Sequence, residues 1–176
     1  KEGFNDINNV EWIWGHAQTQ EQSDASYAFH YLDVSSSGSY YYSFMADPFF
    51  KNLFDTNDIR SQLFSWDGLP AREGLLRYAK FKFKPNLIAD IVYMRAAEMY
   101  LIEAESEARN GNPAQAVAIL NQLRSARNAN VYNGPLAQND VVNEILIERR
   151  KELFGEGFAL SDIIRTCLLY TSPSPR

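Results

Sequence analysis

The sequence predicts a mainly α-helical fold with an irregular first part. Apolar residues recur at helical spacing from about residue 91 onwards, whereas residues 1–89 contain no long stretch with that spacing. The first part is instead rich in aromatic residues, Ser, Asn and Asp, which favour loops and turns. We therefore expect one domain, residues 1–165, made of a loop-rich aromatic segment, residues 1–89, and a helical segment, residues 90–165.

Short elements are predicted within the loop-rich segment. Residues 10–14, "VEWIW", are typical of a short strand, and its Trp12 and Trp14 are expected in the core. Residues 48–60 open with a proline, which favours the start of a short helix. Residues 77–85, "RYAKFKFKP", alternate polar and apolar side chains and so predict a half-buried strand.

A helical hairpin is predicted from Met94 onwards. The apolar stripe of its first helix is formed by Met94, Ala97, Leu101, Ala104 and Ala108. Gly111 is a natural stop, because glycine readily adopts the left-handed conformation that follows a helix end. Asn112 as a cap and Pro113 as the first helical residue begin a second helix, which reaches about Arg127. Because the connection is so short, the two helices are expected to pack antiparallel.

Two further helices are predicted after the hairpin. The third runs from about residue 140 to residue 154 and is ended by the glycines of "GEG", residues 155–157. Ser161 is expected to cap a fourth helix that begins in "LSDIIR". Residues 166–176, "TCLLYTSPSPR", change composition abruptly, and we interpret them as a non-native tail, the alternative being a genuine flexible one.

Composition and charge argue against several functional classes. The net charge of −5 argues against a nucleic-acid-binding protein, since such proteins usually carry a basic face. No apolar run approaches the roughly 18 residues of a membrane-spanning helix. Cys167 is the only cysteine, which rules out an intramolecular disulfide. The chain starts without Met or a signal sequence, and we interpret it as a piece of a longer protein.

Four glutamates on the first predicted helix raise the question of whether they do chemistry. Glu103 and Glu107 fall far from the apolar stripe and are expected in solvent. Glu98 and Glu105 are seven residues apart, so they share the face that flanks the stripe. Carboxylates that edge an apolar face are well placed to form ion pairs with a neighbouring helix.

Arg149 is the expected partner of those carboxylates. It lies at the centre of the apolar stripe of the third helix, which is formed by Val142, Ile145, Leu146 and Leu153. A buried guanidinium is costly unless a carboxylate pairs with it. We therefore expect a structural ion pair of Arg149 with Glu98 or Glu105. The alternative is that Arg149 extends along the helix surface to solvent.

Neither a metal site nor a catalytic pair is predicted, and no cofactor is expected. A di-metal helical bundle needs Glu-x-x-His on its helices, but His16 and His30 lie in the loop-rich segment. A glycoside hydrolase needs two carboxylates across a sugar cleft, and nothing in the sequence pairs Asp47, Asp58 or Asp67.

Three blocks of the chain, taken in order, resemble a known family. They are "YMRAAEMYLIEAESEARNG", "PAQAVAILNQLRSARNA" and "ILIERRKELFGEGFALSDIIR". This order resembles the C-terminal part of the SusD/RagB family of outer-membrane nutrient-binding lipoproteins. The family's "I-x-x-ER-x-x-EL-x-x-EG" signature is matched by Ile145, Glu148, Arg149, Glu152, Leu153, Glu156 and Gly157. "VEWIWGHAQTQEQ" and "LFDTNDIRSQLF" resemble the middle region of the same family. The "ALSD" that follows "GEGF" departs from the family pattern.

The resemblance implies a fold, a location and partners. It implies a tetratricopeptide-like helical hairpin scaffold, no enzymatic activity, and a place on the surface of a Gram-negative outer membrane. A lipid anchor would lie in a missing N-terminal part. Such proteins bind glycans or other nutrients and cover a SusC-like TonB-dependent transporter.

Aromatic loop residues are the candidate ligand contacts. Sugar rings pack on aromatic faces, while neighbouring polar groups bind the hydroxyls. Tyr40, Tyr41 and Tyr42 follow a Ser/Gly-rich loop, and Trp66 precedes Asp67 in another predicted loop. The alternative is that these rings belong to the core. Two other functions stay open: a tetratricopeptide-type interaction scaffold, although only one repeat is visible, and the binding of peptide rather than glycan.

Overall fold

The computed structural model describes residues 4–22, 47–65, 77–84 and 88–167. The fold is mainly α-helical, as predicted. In chain order, the elements are β1 (Trp12–His16), α1 (Pro48–Lys51), a 3₁₀ helix (Ile59–Leu63), β2 (Phe64–Ser65), β3 (Arg77–Tyr78), β4 (Ile91–Arg95), α2 (Ala96–Arg109), α3 (Pro113–Ala126), α4 (Gln138–Glu152) and α5 (Phe158–Cys167).

The helical hairpin is confirmed as α2 and α3. Gly111 has a φ of 86°, and the amide of Asn112 donates to the Glu107 carbonyl at 2.9 Å. This left-handed cap satisfies carbonyls that the helix end would otherwise leave without partners. Pro113 opens α3 directly afterwards, with Asn112 at the cap position.

One apolar core joins α2, α3 and α4. Its buried members are Ala97, Leu101, Ala104, Ala108, Ala116, Ile119, Leu120, Leu123, Val141, Val142, Ile145 and Leu153. Alanines dominate the α2 contribution, so the helix axes approach closely. The start of α4 is fixed to the end of α2, because the Gln138 side chain donates to the carbonyls of Ala108 and Arg109 at 3.0 and 2.8 Å.

Several predicted boundaries were wrong. Met94 was placed in the first helix, but it lies in β4, and α2 begins at Ala96. The fourth helix, α5, begins at Phe158, so Ser161 lies inside it and does not cap it. It also runs through Cys167, two residues into the segment interpreted as a tail. Residues 168–176 lie outside the described residues, and their non-native character stays a prediction.

A two-stranded ribbon pairs a strand near the start of the chain with the strand that directly precedes α2. β1 pairs antiparallel with β4, and the register is interrupted on both sides of Trp14, as happens at β-bulges. The strands approach closely at Gly15, where a Cβ atom would lie 2.8 Å from the Ile91 carbonyl oxygen. The sequence placed the first strand at residues 10–14, two residues too early, and assigned the residues of β4 to a helical region. The reason is that pairing between segments so distant in sequence leaves no local pattern.

A second core accounts for much of the aromatic surplus. Phe50, Phe64 and Tyr78 are buried together, and Phe54 and Phe154 pack against them. The Phe50 and Phe154 rings stack with centroids 4.8 Å apart. The helix expected after Pro48 is present as α1, whereas the strand predicted for residues 77–85 is reduced to β3 and an isolated bridge. Phe154 follows α4 directly, so this aromatic core is attached to the helical one.

Neighbouring residues on α2 offer a matched test of the helical core. Leu101 is fully buried, whereas Ile102 is 45% exposed. Leu101→Ala leaves a cavity and should lower the free energy of unfolding by about 2–5 kcal/mol. Ile102→Ala, the control, should cost less than about 1 kcal/mol. Denaturant unfolding of the natural protein that carries this chain measures both. Equal losses would show that α2 presents a different face to the core.

Candidate functional site

A row of carboxylates lies along one side of α4 and its C-terminal extension. Glu148, Glu152 and Glu156 are four residues apart, so they project from the same side. The side chain of Glu148 is fully buried, and those of Glu152 and Glu156 are almost wholly buried. Three buried carboxylates are tolerated only if cations reach them from other segments.

Arg60 supplies the first of these cations from the 3₁₀ helix. Its Nη2 donates to Glu148 at 2.6 Å and to Asp58 at 2.7 Å, and its Nη1 donates to Glu152 at 2.7 Å. Asp58 also caps the 3₁₀ helix by accepting from the Arg60 amide. One guanidinium therefore connects the loop-rich segment to two turns of α4.

Arg95 and Lys80 occupy the other end of the row. Arg95 donates from Nη1 to Glu152 at 2.7 Å and from Nε to Glu156 at 2.6 Å. The Lys80 ammonium contacts Glu156 and donates to the Glu152 and Phe154 carbonyls at 2.9 and 3.0 Å. Because Arg95 precedes α2 directly, this pairing fixes the junction of β4 and α2 against the end of α4.

Residues at the end of α3 complete the set, which we call the buried charge cluster. Arg127 joins Glu152 to Glu11, and Arg124 joins Glu148 to Glu144. Among the described residues, the cluster contains six carboxylates and six cations: Asp58, Glu11, Glu144, Glu148, Glu152 and Glu156 with Arg60, Arg95, Arg124, Arg127, Lys80 and Lys151.

The pKa shifts follow from this balance. Burial alone would raise the pKa of Glu152, but Arg95, Arg127 and Arg60 outweigh that effect and hold the pKa well below its ordinary value. Burial lowers the pKa of Lys80 to about 8, an effect that Glu156 only partly offsets. The Glu152 carboxylate is therefore ionised and paired, which suits a structural role better than acid–base chemistry.

A cleft of about 680 Å³ opens beside the cluster. Arg60, Arg95 and Glu152 line it, together with apolar residues that include Val10 and Ile59. The charged groups named here are already bound to one another, so they offer little to an ionic ligand.

An exposed aromatic pair lies on the ribbon. Trp14 is 61% exposed and Tyr93 is 46% exposed, with ring centroids 4.9 Å apart and an interplanar angle of 52°. Trp14 was predicted to be in the core, and that prediction was wrong. Trp12 instead points inward and packs edge-on against Phe4, with centroids 5.6 Å apart. Residues two apart on a regular strand face the same way, but the register shift between Trp12 and Trp14 breaks that alternation. The two tryptophans therefore differ in exposure.

Metal and membrane sites were sought in the described ranges. Within them, no three His, Cys, Asp or Glu side chains are grouped so that they could hold a metal ion. No helix in the same ranges combines the length and apolar character needed to cross a bilayer.

Comparison with known proteins identifies the family. The sequence model of the SusD family matches residues 61–173, which is more than half of the chain. The chain belongs to the SusD family.

Solved structures and a curated relative agree with this membership. A SusD-like carbohydrate binding protein from Bacteroides vulgatus is 49% identical and superposes with a TM-score of 0.86 over 93% of this chain. A putative sugar binding protein from the same organism is 26% identical over 89% of the chain, with a TM-score of 0.70. SusD-like protein P38 from Formosa agariphila is 35% identical over 51% of the chain. The chain spans 36%, 34% and 20% of these proteins, respectively.

The carboxylates of the SusD-family signature are those of the buried charge cluster. Glu148, Glu152 and Glu156 occupy the acidic positions of the signature, while its arginine, Arg149, faces the other way. Sequence analysis recognised the motif but did not find the cluster. Apart from Lys151 of α4 itself, its cations come from four separate segments, and no spacing in the sequence connects them.

The predicted ion pairs are arranged differently. Arg149 is only 6% exposed, and its Nε donates to Asp162 at 3.0 Å, not to Glu98 or Glu105. Since α5 begins at Phe158, its first turns place Asp162 against α4. Glu105 accepts from Arg109 and Arg165, each at 2.8 Å.

The remaining glutamates of α2 form no ion pair within the described part of the chain. Among the described residues, Glu98 lacks a cation within 4.0 Å. Burial raises the pKa of Glu98, and the charge of Arg149, which is paired with Asp162, only partly offsets this rise. Glu103 is exposed and Glu107 is half-buried. The candidate ligand contacts Tyr40, Tyr41, Tyr42, Trp66 and Asp67 all lie outside the described residues.

Arg95→Ala tests the buried charge cluster. The substitution leaves Glu152 and Glu156 short of a partner, and we expect a loss of about 3–5 kcal/mol in the free energy of unfolding. Arg150→Ala is the control: Arg150 is an exposed cation of α4, and its loss should cost less than about 1 kcal/mol. Urea denaturation at neutral pH gives both values. A loss for Arg95→Ala no larger than the control would exclude a structural role for this pairing.

Acid should destabilise the fold through Glu152. Its pKa is depressed in the folded state, so its contribution is complete above the unfolded value of 4.5 and is lost as the pH falls through the folded pKa. Glu152→Gln should therefore be destabilised at pH 7 and should lose less additional stability between about pH 5 and pH 3. Glu103→Gln, an exposed control, should follow the wild-type profile. Parallel pH profiles for Glu152→Gln and the wild type would contradict the assignment.

Proposed function

We propose that this chain is part of a glycan-binding protein of the outer-membrane surface. The protein would deliver oligosaccharides to a SusC-like TonB-dependent transporter without cleaving them, and a lipid anchor outside this chain would hold it to the membrane. The single observation that carries the proposal is the likeness to the SusD-like carbohydrate binding protein from Bacteroides vulgatus, at 49% identity over 93% of the chain.

The chemistry of the described carboxylates supports binding over hydrolysis. A glycosidase needs one carboxyl group held as an acid beside a free carboxylate across a sugar cleft. The carboxylates beside the cleft, Glu11 and Glu152, are instead bound to Arg127, with Glu152 also bound to Arg60 and Arg95. Asp58 is fully buried against Arg60. The pKa values of Asp58 and Glu152 are held below their ordinary values by these cations, so neither group is suited to be the acid of a glycosidase near neutral pH.

The ligand contacts are proposed in the loop-rich segment. Tyr40, Tyr41, Tyr42 and Trp66 would stack on sugar rings, and Asp67 would bind hydroxyls. One stacked ring contributes only about 1 kcal/mol beyond burial, so several weak contacts along an oligosaccharide are needed. Weak individual contacts suit a protein that must release its ligand to a transporter.

A protein-interaction scaffold is the second candidate. The helical hairpin has the form of a tetratricopeptide unit, and α5 exposes Leu160, Ile163 and Ile164. Exposed apolar stripes of this kind typically contact another protein surface. Peptide, rather than glycan, would then be the ligand class.

Glycan-array binding followed by calorimetry tests the proposal on the natural protein that carries this chain. Tyr40→Ala, Tyr41→Ala, Tyr42→Ala and Trp66→Ala should each weaken binding, by about 2- to 12-fold for every ring that stacks. Tyr132→Ala on the α3–α4 connection is the aromatic control and should bind as the wild type does. A reducing-sugar assay should detect no new chain ends. Absence of any glycan binding would favour the peptide alternative, and release of reducing ends would overturn the non-enzymatic role.

A further inference from the structure

The Trp14–Tyr93 pair has no structural use within the described chain. The apolar cores are filled by other residues, and both rings remain largely in solvent, 61% and 46% exposed. Their centroids are 4.9 Å apart, so the two rings form one continuous apolar surface. Large rings kept together at a surface usually mark a place where something binds.

The backbone of the ribbon is shaped at this pair. The register between β1 and β4 shifts on both sides of Trp14, and Tyr93 is the residue passed over when Trp14 pairs with Met94 and Gly15 pairs with Val92. Such β-bulges redirect side chains and are frequent beside binding sites. In a regular ladder, Trp14 would lie beside Met94, the residue it pairs with, and Tyr93 would point to the opposite face. The bulge explains why Tyr93 lies beside Trp14 instead.

The ribbon that carries the pair is also fixed to the rest of the domain. Gly15 lets the strands meet so closely that a Cβ atom there would lie 2.8 Å from the Ile91 carbonyl oxygen. Two residues beyond Tyr93, Arg95 is buried and bound to Glu152 at 2.7 Å and to Glu156 at 2.6 Å. A platform fixed to a rigid cluster loses little conformational freedom when a ligand binds.

We propose that Trp14 and Tyr93 form a stacking platform for the pyranose rings of a neutral oligosaccharide. This inference rests on the proposed glycan-binding function and adds two residues that are not among the contacts proposed above. The C–H face of a pyranose packs on an aromatic face. With planes inclined at 52°, one ring takes the face of a sugar while the other contacts its edge.

Charge selects a neutral ligand. The chain carries a net charge of −5, which repels acidic glycans over distances of about 10 Å at ordinary salt concentrations. Arg95, the last residue of β4, and Arg127 are bound to Glu11, Glu152 and Glu156 and so are not free to pair with an acidic sugar. The exposed side chain of His16, on the same strand as Trp14, is a hydrogen-bonding group suited to a hydroxyl.

Calorimetry on the natural protein that carries this chain tests the platform. The probes are cellohexaose, maltoheptaose, xylohexaose and mannohexaose, with oligogalacturonate as the acidic comparison. Trp14→Ala and Tyr93→Ala should each weaken binding of the neutral probe that the wild type binds, by about 2- to 12-fold. Trp14→Phe should restore part of the loss, because it keeps a flat apolar face. Tyr100→Ala removes an exposed ring of α2 away from the ribbon and should leave affinity unchanged.

The outcomes separate this inference from the proposed function. If a neutral probe binds and the two alanine variants bind it as well as the wild type does, the platform is overturned and the glycan-binding function stands. If oligogalacturonate is the one probe that binds, the neutral platform is overturned and the glycan-binding function stands, whereas binding of no probe overturns both. A second readout is the Tm without ligand, which should change by less than about 2 °C in the Trp14→Ala variant. A larger fall would show that the pair packs against another part of the protein, and this too would overturn the platform.

Discussion

The fold depends on the burial of three carboxylates, Glu148, Glu152 and Glu156, along one side of α4. Their charge is compensated by cations from the 3₁₀ helix, from the segment after β3, from the end of β4 and from the end of α3. Burying this many ions gives little net stability compared with apolar side chains of the same volume. It does make wrong arrangements costly, because any segment that moves away leaves a buried charge without its partner.

The buried charge cluster lies between two apolar cores of different character. On one side, small and aliphatic side chains pack α2, α3 and α4 together. On the other, phenylalanines and Tyr78 hold the short elements of the first part against the residue that follows α4, Phe154. Most of the aromatic rings in the described part of the chain therefore belong to apolar cores or pack against them. Within the described residues, the Trp14–Tyr93 pair stands out because it keeps two adjoining rings in solvent.

The ion pairs of this arrangement identify the helical part as a scaffold. Glu148, Glu152 and Glu156, together with Glu105 of α2, serve the assembly of the domain through ion pairs. The other three glutamates of α2 form no ion pair within the described residues. The chain represents about a third of the Bacteroides vulgatus relatives that it resembles. A ligand site of the whole protein would thus combine surfaces of this chain with others, and several weak stacking contacts fit that description better than one deep pocket.

The sequence by itself determined the family, the mainly helical fold and the helical hairpin. These depend on local features: the spacing of apolar residues, the Gly111 stop and the Asn112-Pro113 start all act within a few residues, so a linear reading finds them. The family signature was equally local, and it pointed to the glutamates of α4 without saying what they bind.

Only the tertiary structure decided which charges meet and which rings face solvent. Arg149 pairs with Asp162 because α5 begins earlier than its sequence indicates, and Arg95 reaches α4 because β1 binds β4 across almost the whole first part of the chain. Met94 lay in a helical pattern, yet the pairing of β4 with β1 holds it in a strand. Trp12 and Trp14 are two residues apart and would share a face on a regular strand, but the register shift between them lets one pack inward and leaves the other at the surface. Contacts between residues distant in the chain decided each of these outcomes, and no local pattern encodes them.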